Sequence, residues 1–413
     1  MRHKRIPVIA MAGLFLNLFI LITGLYAKTN EEKILLNFDL SAGSYLIKQK
    51  EGKEVKEPVF EYDIRKDTIN ALKEGGFSIA ADASQNYDYV LNIEYSEKYS
   101  HSQYFGKRLM IDEFDLIMLD DNKNILFKEY RGIASRNVKR VESFVKNDLT
   151  ALIRDRFEQK DEVTFQIFRL KKDNSKNVKT LEESMGPLIR LFELKDSRSI
   201  PVFVRYLRSC DCRQRWIAKF ALLELQYKPA KGSEDEICFE MVNAMGGEST
   251  IAYNFIHSPD VLKQYRKEIR NHSYPWLIMT YGCPAIDLMI DNLRCQHLMP
   301  YLGCWSRGGN IYDVKPVVVL SHLTEEKWKK RYRGKDFNQE WNEHAVNRLI
   351  NDMENKNVEL KDKQKSRYLN TLIEITGNIA DRRAINLLEN FAKNEELAEA
   401  SGKAIQEIQK REK

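Results

Sequence analysis

The feature that most constrains this chain is a phrase it uses twice. Asp196-x-Arg198-x-Ile200-x-Val202 returns as Asp381-x-Arg383-x-Ile385-x-Leu387. In the first copy Ser199 precedes Ile200-Pro201, which reads as a helix start: a hydroxyl can accept from an orphan amide, and proline loses nothing in a first turn. The predicted helix carries Ile200, Phe203, Val204 and Leu207 at the spacing of one apolar face. Asp211 is placed to cap a second helix, in which Ile217, Ala218, Ala221, Leu222 and Leu225 keep that spacing. In the second copy, two residues shorter, Ala404, Ile405 and Ile408 stand where Ala221, Leu222 and Leu225 stand. Two short amphipathic helices on a tight polar link cannot bury both apolar faces alone. They need neighbours of the same kind, which is the logic of a helical solenoid.

These segments resemble bacterial HEAT repeats of the kind also called phycobilisome-lyase-like repeats. That pattern pairs an Asp-x-Arg-x-Ile turn with a helix bearing Arg-x-x-Ala-x-x-Ala-Leu. Arg215, Ala218, Ala221 and Leu222 fill the second half, whereas the C-terminal copy has Glu399 and Ala400 near the arginine position. The resemblance implies antiparallel helix pairs and a binding surface rather than a reaction.

The rest of the 413 residues divides by grammar. Residues 1–27 have a basic start, an apolar run from Val8 to Leu25 and small residues up to Ala27. They read as a signal peptide, with an uncleaved N-terminal anchor as the alternative. Either reading puts the remainder outside the cytoplasm, in the periplasm or on the outer face of the envelope, tethered to the inner membrane if the segment is uncleaved. Without these residues, which hold Arg2, Lys4 and Arg5 and no acid, the formal charge falls from +6 to +3. That balance, with no aromatic-interleaved basic stripe, argues against nucleic acid as a partner. Membrane contact is expected only through residues 1–27.

Residues 28–160 read as an α+β sandwich, a mostly antiparallel sheet with two helices. Strands are expected at Lys33–Leu40, Phe77–Ile79, Tyr87–Tyr95, Leu109–Leu119 and Ile125–Ile133, and helices at Asp63–Glu74 and Val141–Phe157. The layout, with the phrase Asp88-Tyr89-Val90-Leu91, is similar to small periplasmic α/β domains of outer-membrane lipoproteins and envelope-assembly factors, which mostly bind proteins or envelope components. Residues 161–181 read as a linker. Residues 182–413 read as an all-α HEAT-like helical solenoid with an insertion around 299–316. Helices are expected at Pro284–Cys295, from Pro316, after Thr324, and at Asn342–Glu354.

The six cysteines (Cys210, Cys212, Cys238, Cys283, Cys295 and Cys304) all lie in this second half. Export permits disulfides, and buried free thiols are the alternative. Cys210 and Cys212 are poorly placed to pair with each other, whereas Cys283, Cys295 and Cys304 are near enough in sequence for a local bridge. Cys283, Cys295, His297 and Cys304 are also the one concentration of soft ligands. They lack the Cys-x-x-Cys knuckles of structural zinc. No catalytic, cofactor-binding or metal residue is assigned. The expectation is a non-catalytic scaffold with protein partners in the cell envelope; the alternative is a cysteine- or metal-dependent enzyme built on the Cys283–Cys304 segment. The docking candidates are Trp305, Arg307 and Tyr312 on the insertion, and Arg213, Gln214 and Lys219 on the first repeat.

Overall fold

The computed structural model describes residues 32–42, 44–50, 53–102, 106–130, 138–171, 185–244, 273–298, 316–332, 335–355 and 362–412. The chain forms two compact units, Met1–Phe165 and Gln166–Lys413.

In the first unit, strand β1 (Lys33–Ser41) is followed by a separate antiparallel ribbon of β2 (Ser44–Lys50) and β3 (Lys53–Val59). Helix α1 (Ile64–Glu74) starts where the Asp63 carboxylate accepts from the Lys66 amide. Then come β4 (Ser78–Ala80), β5 (Tyr89–Ser102), β6 (Gly106–Asp120) and β7 (Ile125–Tyr130). The five-stranded sheet has the order β4-β1-β5-β6-β7. It is mixed, which corrects the mostly antiparallel expectation: β1 runs parallel to both β4 and β5, and only β5-β6-β7 are antiparallel. The physical reason is α1, a crossover that returns the chain in the direction of β1, which a hairpin cannot do.

The expected C-terminal helix of this unit is two helices, α2 (Val138–Asn147) and α3 (Leu149–Phe157), meeting at Asp148. Their apolar residues land where the spacing predicts. Val141, Phe144, Val145, Leu149 and Ile153 join Leu91, Ile93, Tyr95, Phe114, Leu116 and Met118 in one core. Among the described residues the other sheet face carries a small cluster of Leu35, Ala80 and Val90. Where β6 bulges opposite Ser96 and Glu97, the Glu97 side chain of β5 is buried. It accepts from the Tyr95 hydroxyl at 2.6 Å and from the Glu61 and Tyr62 amides at 3.1 and 3.3 Å. A buried carboxylate is tolerable when its lone pairs are filled in this way.

Helix α4 (Glu162–Lys171) occupies the first half of the expected linker. Val163, Gln166 and Leu170 are buried at the spacing of one helical face.

The described elements of the second unit are helical. They are α5 (Met185–Leu194), α6 (Ile200–Tyr206), α7 (Cys212–Glu224), α8 (Glu234–Ala244), α9 (Tyr274–Tyr281), α10 (Cys283–Leu298) and α11 (Pro316–Leu320). They continue with α12 (Glu325–Arg331), α13 (Gln339–Asn355), α14 (Asp362–Ile379), α15 (Ile385–Phe391) and α16 (Glu395–Arg411). Packing runs between near neighbours: α7 on α5, α6 and α8, then α8 on α9 and α10, α10 on α13 and α14, and α14 on α16. No helix of the described residues is long and apolar enough to cross a membrane.

Candidate functional site

The repeated phrase is a specific turn. Asp196 accepts from the Arg198 amide at 2.9 Å and holds the Arg198 guanidinium through Nε and Nη2, at 3.0 and 2.7 Å. It thereby opens a single 3-10 turn, Ser197–Ser199, ahead of α6. The cap is therefore Asp196 and not Ser199, whose hydroxyl donates back to the Asp196 carbonyl. Asp381 does the same with the Arg383 amide and Nε, at 3.0 and 2.9 Å, ahead of α15. Asp211 makes a third copy, capping α7 through the Arg213 amide at 2.9 Å and gripping Arg213 Nη2 at 2.6 Å.

That third copy changes the reading of the docking residues. Arg213 is committed to a fully buried Asp211 carboxylate. Gln214 is buried, and its side chain accepts from Ser209 Oγ. Lys219 is also buried: its ammonium donates to the Phe239 carbonyl at 2.9 Å and lies 4.1 Å from the Phe239 ring centroid. Gln214 and Lys219 hold helices together rather than face a partner, because every residue from Gln214 to Leu222 is buried. Trp305, Arg307 and Tyr312, with Cys304, lie outside the described residues.

Cys283 and Cys295 of the soft-ligand segment do not converge. Cys283 opens α10, and Cys295 and His297 lie near its other end. At 1.5 Å per residue, Cys283 and Cys295 are about 18 Å apart along the axis, too far to share a ligand. Cys283 and Cys238 are free thiols, and Cys210 is disulfide-bonded. Burial pushes the Cys238 thiol up to about 11, against the pull of Arg208 and Arg215, so it stays protonated and inert. Among the described residues no group of three or more His, Cys, Asp or Glu side chains could hold a metal ion.

The most built part of the second unit is the C-terminal end of α14. The last carbonyls of a helix have no partner within it. Here three other helices supply donors. Arg411 of α16 donates to the Gly377 and Ala380 carbonyls, both at 2.7 Å. Lys327 of α12 donates to the Asn378 carbonyl at 3.1 Å and to Asn378 Oδ1 at 3.0 Å. Asn342 of α13 bridges the Ile379 and Leu323 carbonyls at 3.0 and 2.6 Å. Two cations at a helix C-terminus also suit its dipole. Both sit partly buried: burial lowers the Lys327 pKa, with the neighbouring Arg411 charge adding to it, and burial lowers that of Arg411.

Two clefts of opposite character adjoin this hub and share Glu374 and Asn378 in their linings. One, of about 920 Å³, lies between α11, α12 and α14. Val317, Val318 and Ser321 form one wall, Lys327, Lys330, Arg331 and Tyr332 the other, and Glu374, Asn378 and His322 border them. The other, of about 520 Å³, lies between α14 and α16 over Gly377, Ala400 and Ala404. Its rim carries Glu374, Glu396, Glu399 and Glu407, and its lysine, Lys403, is tied to Glu399 at 2.5 Å. Neither cleft was expected from the sequence. The available signal was Lys327, Lys330 and Arg331 at helical i, i+3, i+4 spacing, which puts three cations on one face of α12. No family model matches the chain, and neither a curated protein nor a solved structure does.

Proposed function

We propose that this chain is an exported, non-catalytic binding protein of the bacterial cell envelope that holds protein partners on a HEAT-like helical solenoid. The observation that carries the reading is the Asp-x-Arg turn, which opens a helix at Asp196, Asp211 and Asp381 with one hydrogen-bond pattern. A recurring turn-to-helix unit is the currency of repeat architectures, whose extended flanks serve recognition. The packing of α5 to α9 on near neighbours in sequence, and of α16 on α14 and α15, supports it. The clefts beside α14 are the recognition surface, in place of the first-repeat residues. Residues 1–27 act as the export signal, or remain as an anchor.

The test is affinity capture from envelope fractions with the full chain, followed by reconstitution of each captured protein with purified components. A direct partner should be retained by Cys283→Ser and Cys295→Ser variants. Mature protein from the envelope should begin just after Ala27 if the signal is cleaved. A chain that captures no direct partner, or whose capture is lost on either cysteine substitution, contradicts the scaffold reading.

A further inference from the structure

We infer that the cleft between α11, α12 and α14 takes a carboxylate-rich segment of a protein partner. This deepens the binding reading above and rests on it. Lys327, Lys330 and Arg331 project from one face of α12, and Arg411 lies close enough for its charge to act on Lys327. The hydrogen bonds of Lys327 and Arg411 described above go to carbonyl oxygens of α14 and the turn after it. Neutral acceptors fix the two cations in place without cancelling their charge. Glu407 is felt by both, Glu326 by Lys327 and Glu412 by Arg411, but none of these three acids lines the cleft. Glu374 is the one acid of the cleft lining. Preorganised positive charge of this kind selects anions and speeds their docking.

Size and lining narrow the anion. A cleft of about 920 Å³ is at the upper end of ligand pockets and holds several residues rather than one ion. Val317 and Val318 offer half-buried apolar surface for the stems of acidic side chains. A nucleic-acid strand would need open aromatic faces for its bases. The aromatic ring of the lining, Tyr332, is packed on Trp328 at 4.5 Å between centroids. The adjoining glutamate-rimmed groove, which shares Glu374 and Asn378 with this cleft, repels the same segment, so register follows from repulsion as well as attraction.

The experiment is fluorescence anisotropy of the full chain with a labelled Glu/Leu peptide and its Gln/Leu counterpart. The acidic peptide should bind at least about tenfold more tightly at low salt and weaken as salt rises. A Lys330→Gln, Arg331→Gln double variant should lose that preference. Both positions are exposed, so an unchanged Tm shows that the fold is intact. Equal binding of the two peptides, full binding by a folded double variant, or equal competition by inorganic phosphate or a thymidine oligonucleotide overturns the assignment. If the double variant still holds the captured envelope partner, the cleft assignment falls and the scaffold reading stands. If the unaltered chain captures no direct partner, the scaffold reading falls, whatever the peptides do.

Discussion

The two copies of the repeat share a turn and differ in everything around it. In the first, α7 packs on α5, α6 and α8, and its burial is continuous from Gln214 to Leu222. In the second, α16 packs on α14 and α15, and only Leu397, Ser401, Ala404 and Ile408 are buried, at the spacing of a single helical stripe. The same chemistry therefore sits at three depths. The Asp211 side chain is 0% exposed, that of Asp196 29% and that of Asp381 52%. A repeat written in sequence specifies the local turn, whereas the number of helices packed on it sets what that turn is worth. Lys219 and Gln214 look like surface residues in isolation and are interior ones because α8 and the 209–211 turn close over them.

The comparison breaks first on the capping aspartates. Asp211→Ala should cost about 3 kcal/mol, since it removes a cap and leaves a largely buried guanidinium without its carboxylate. Asp196→Ala should cost about 1–2 kcal/mol and Asp381→Ala about 1 kcal/mol, because water replaces the lost partner more readily. Urea denaturation of the three variants should rank them in that order; equal losses would mean that depth is irrelevant to the turn. A second contrast lies inside the last pair. A methyl group on Gly377 would sit 2.7 Å from Ala404 Cα and Cβ, whereas one on Gly402 would meet nothing within 4 Å. Gly377→Ala should destabilise by about 1–3 kcal/mol through overpacking. Gly402→Ala should stabilise by about 0.5–1 kcal/mol through helix propensity. Shifts of the same sign would contradict the tight crossing of α14 and α16.

Much of the first unit was legible because period-two and period-3.6 patterns are local. Leu91, Ile93 and Tyr95 announce one face of β5, and Val141, Phe144 and Val145 one face of α2. The direction of β1 was not legible, since parallel pairing with β4 and β5 depends on a crossover and leaves no mark on the strand itself. In the second unit Asp211 announced its helix correctly. The choice of Asp196 over Ser199 leaves no mark in the sequence, because both are good cap residues and only geometry chooses between them. The hub at α14 was invisible for a different reason. Lys327, Asn342 and Arg411 come from three helices, and no spacing in the chain says that they converge on Gly377–Ala380.

The smallest expected effect separates the exposed copy of the turn by pH. Hydrogen bonds from Arg383 hold the Asp381 carboxyl below its ordinary value of 3.8, burial working against them. The folded state therefore prefers the ionised form. As pH falls below the ordinary value, the unfolded chain takes up the proton first, and the contribution of Asp381 is lost as pH drops through its lowered folded value. Above the ordinary value the contribution is fully present and flat. Asp381→Asn should thus be less stable at neutral pH and should lose less stability on acidification than the parent. Because the pair is half exposed, added salt should shrink this difference, whereas the loss on Asp211→Ala should be nearly salt-independent. Urea midpoints at neutral and acidic pH, each at two salt concentrations, measure both. An acid limb as steep in Asp381→Asn as in the parent would mean that the Arg383 grip contributes nothing, and that the turn persists through its backbone cap alone.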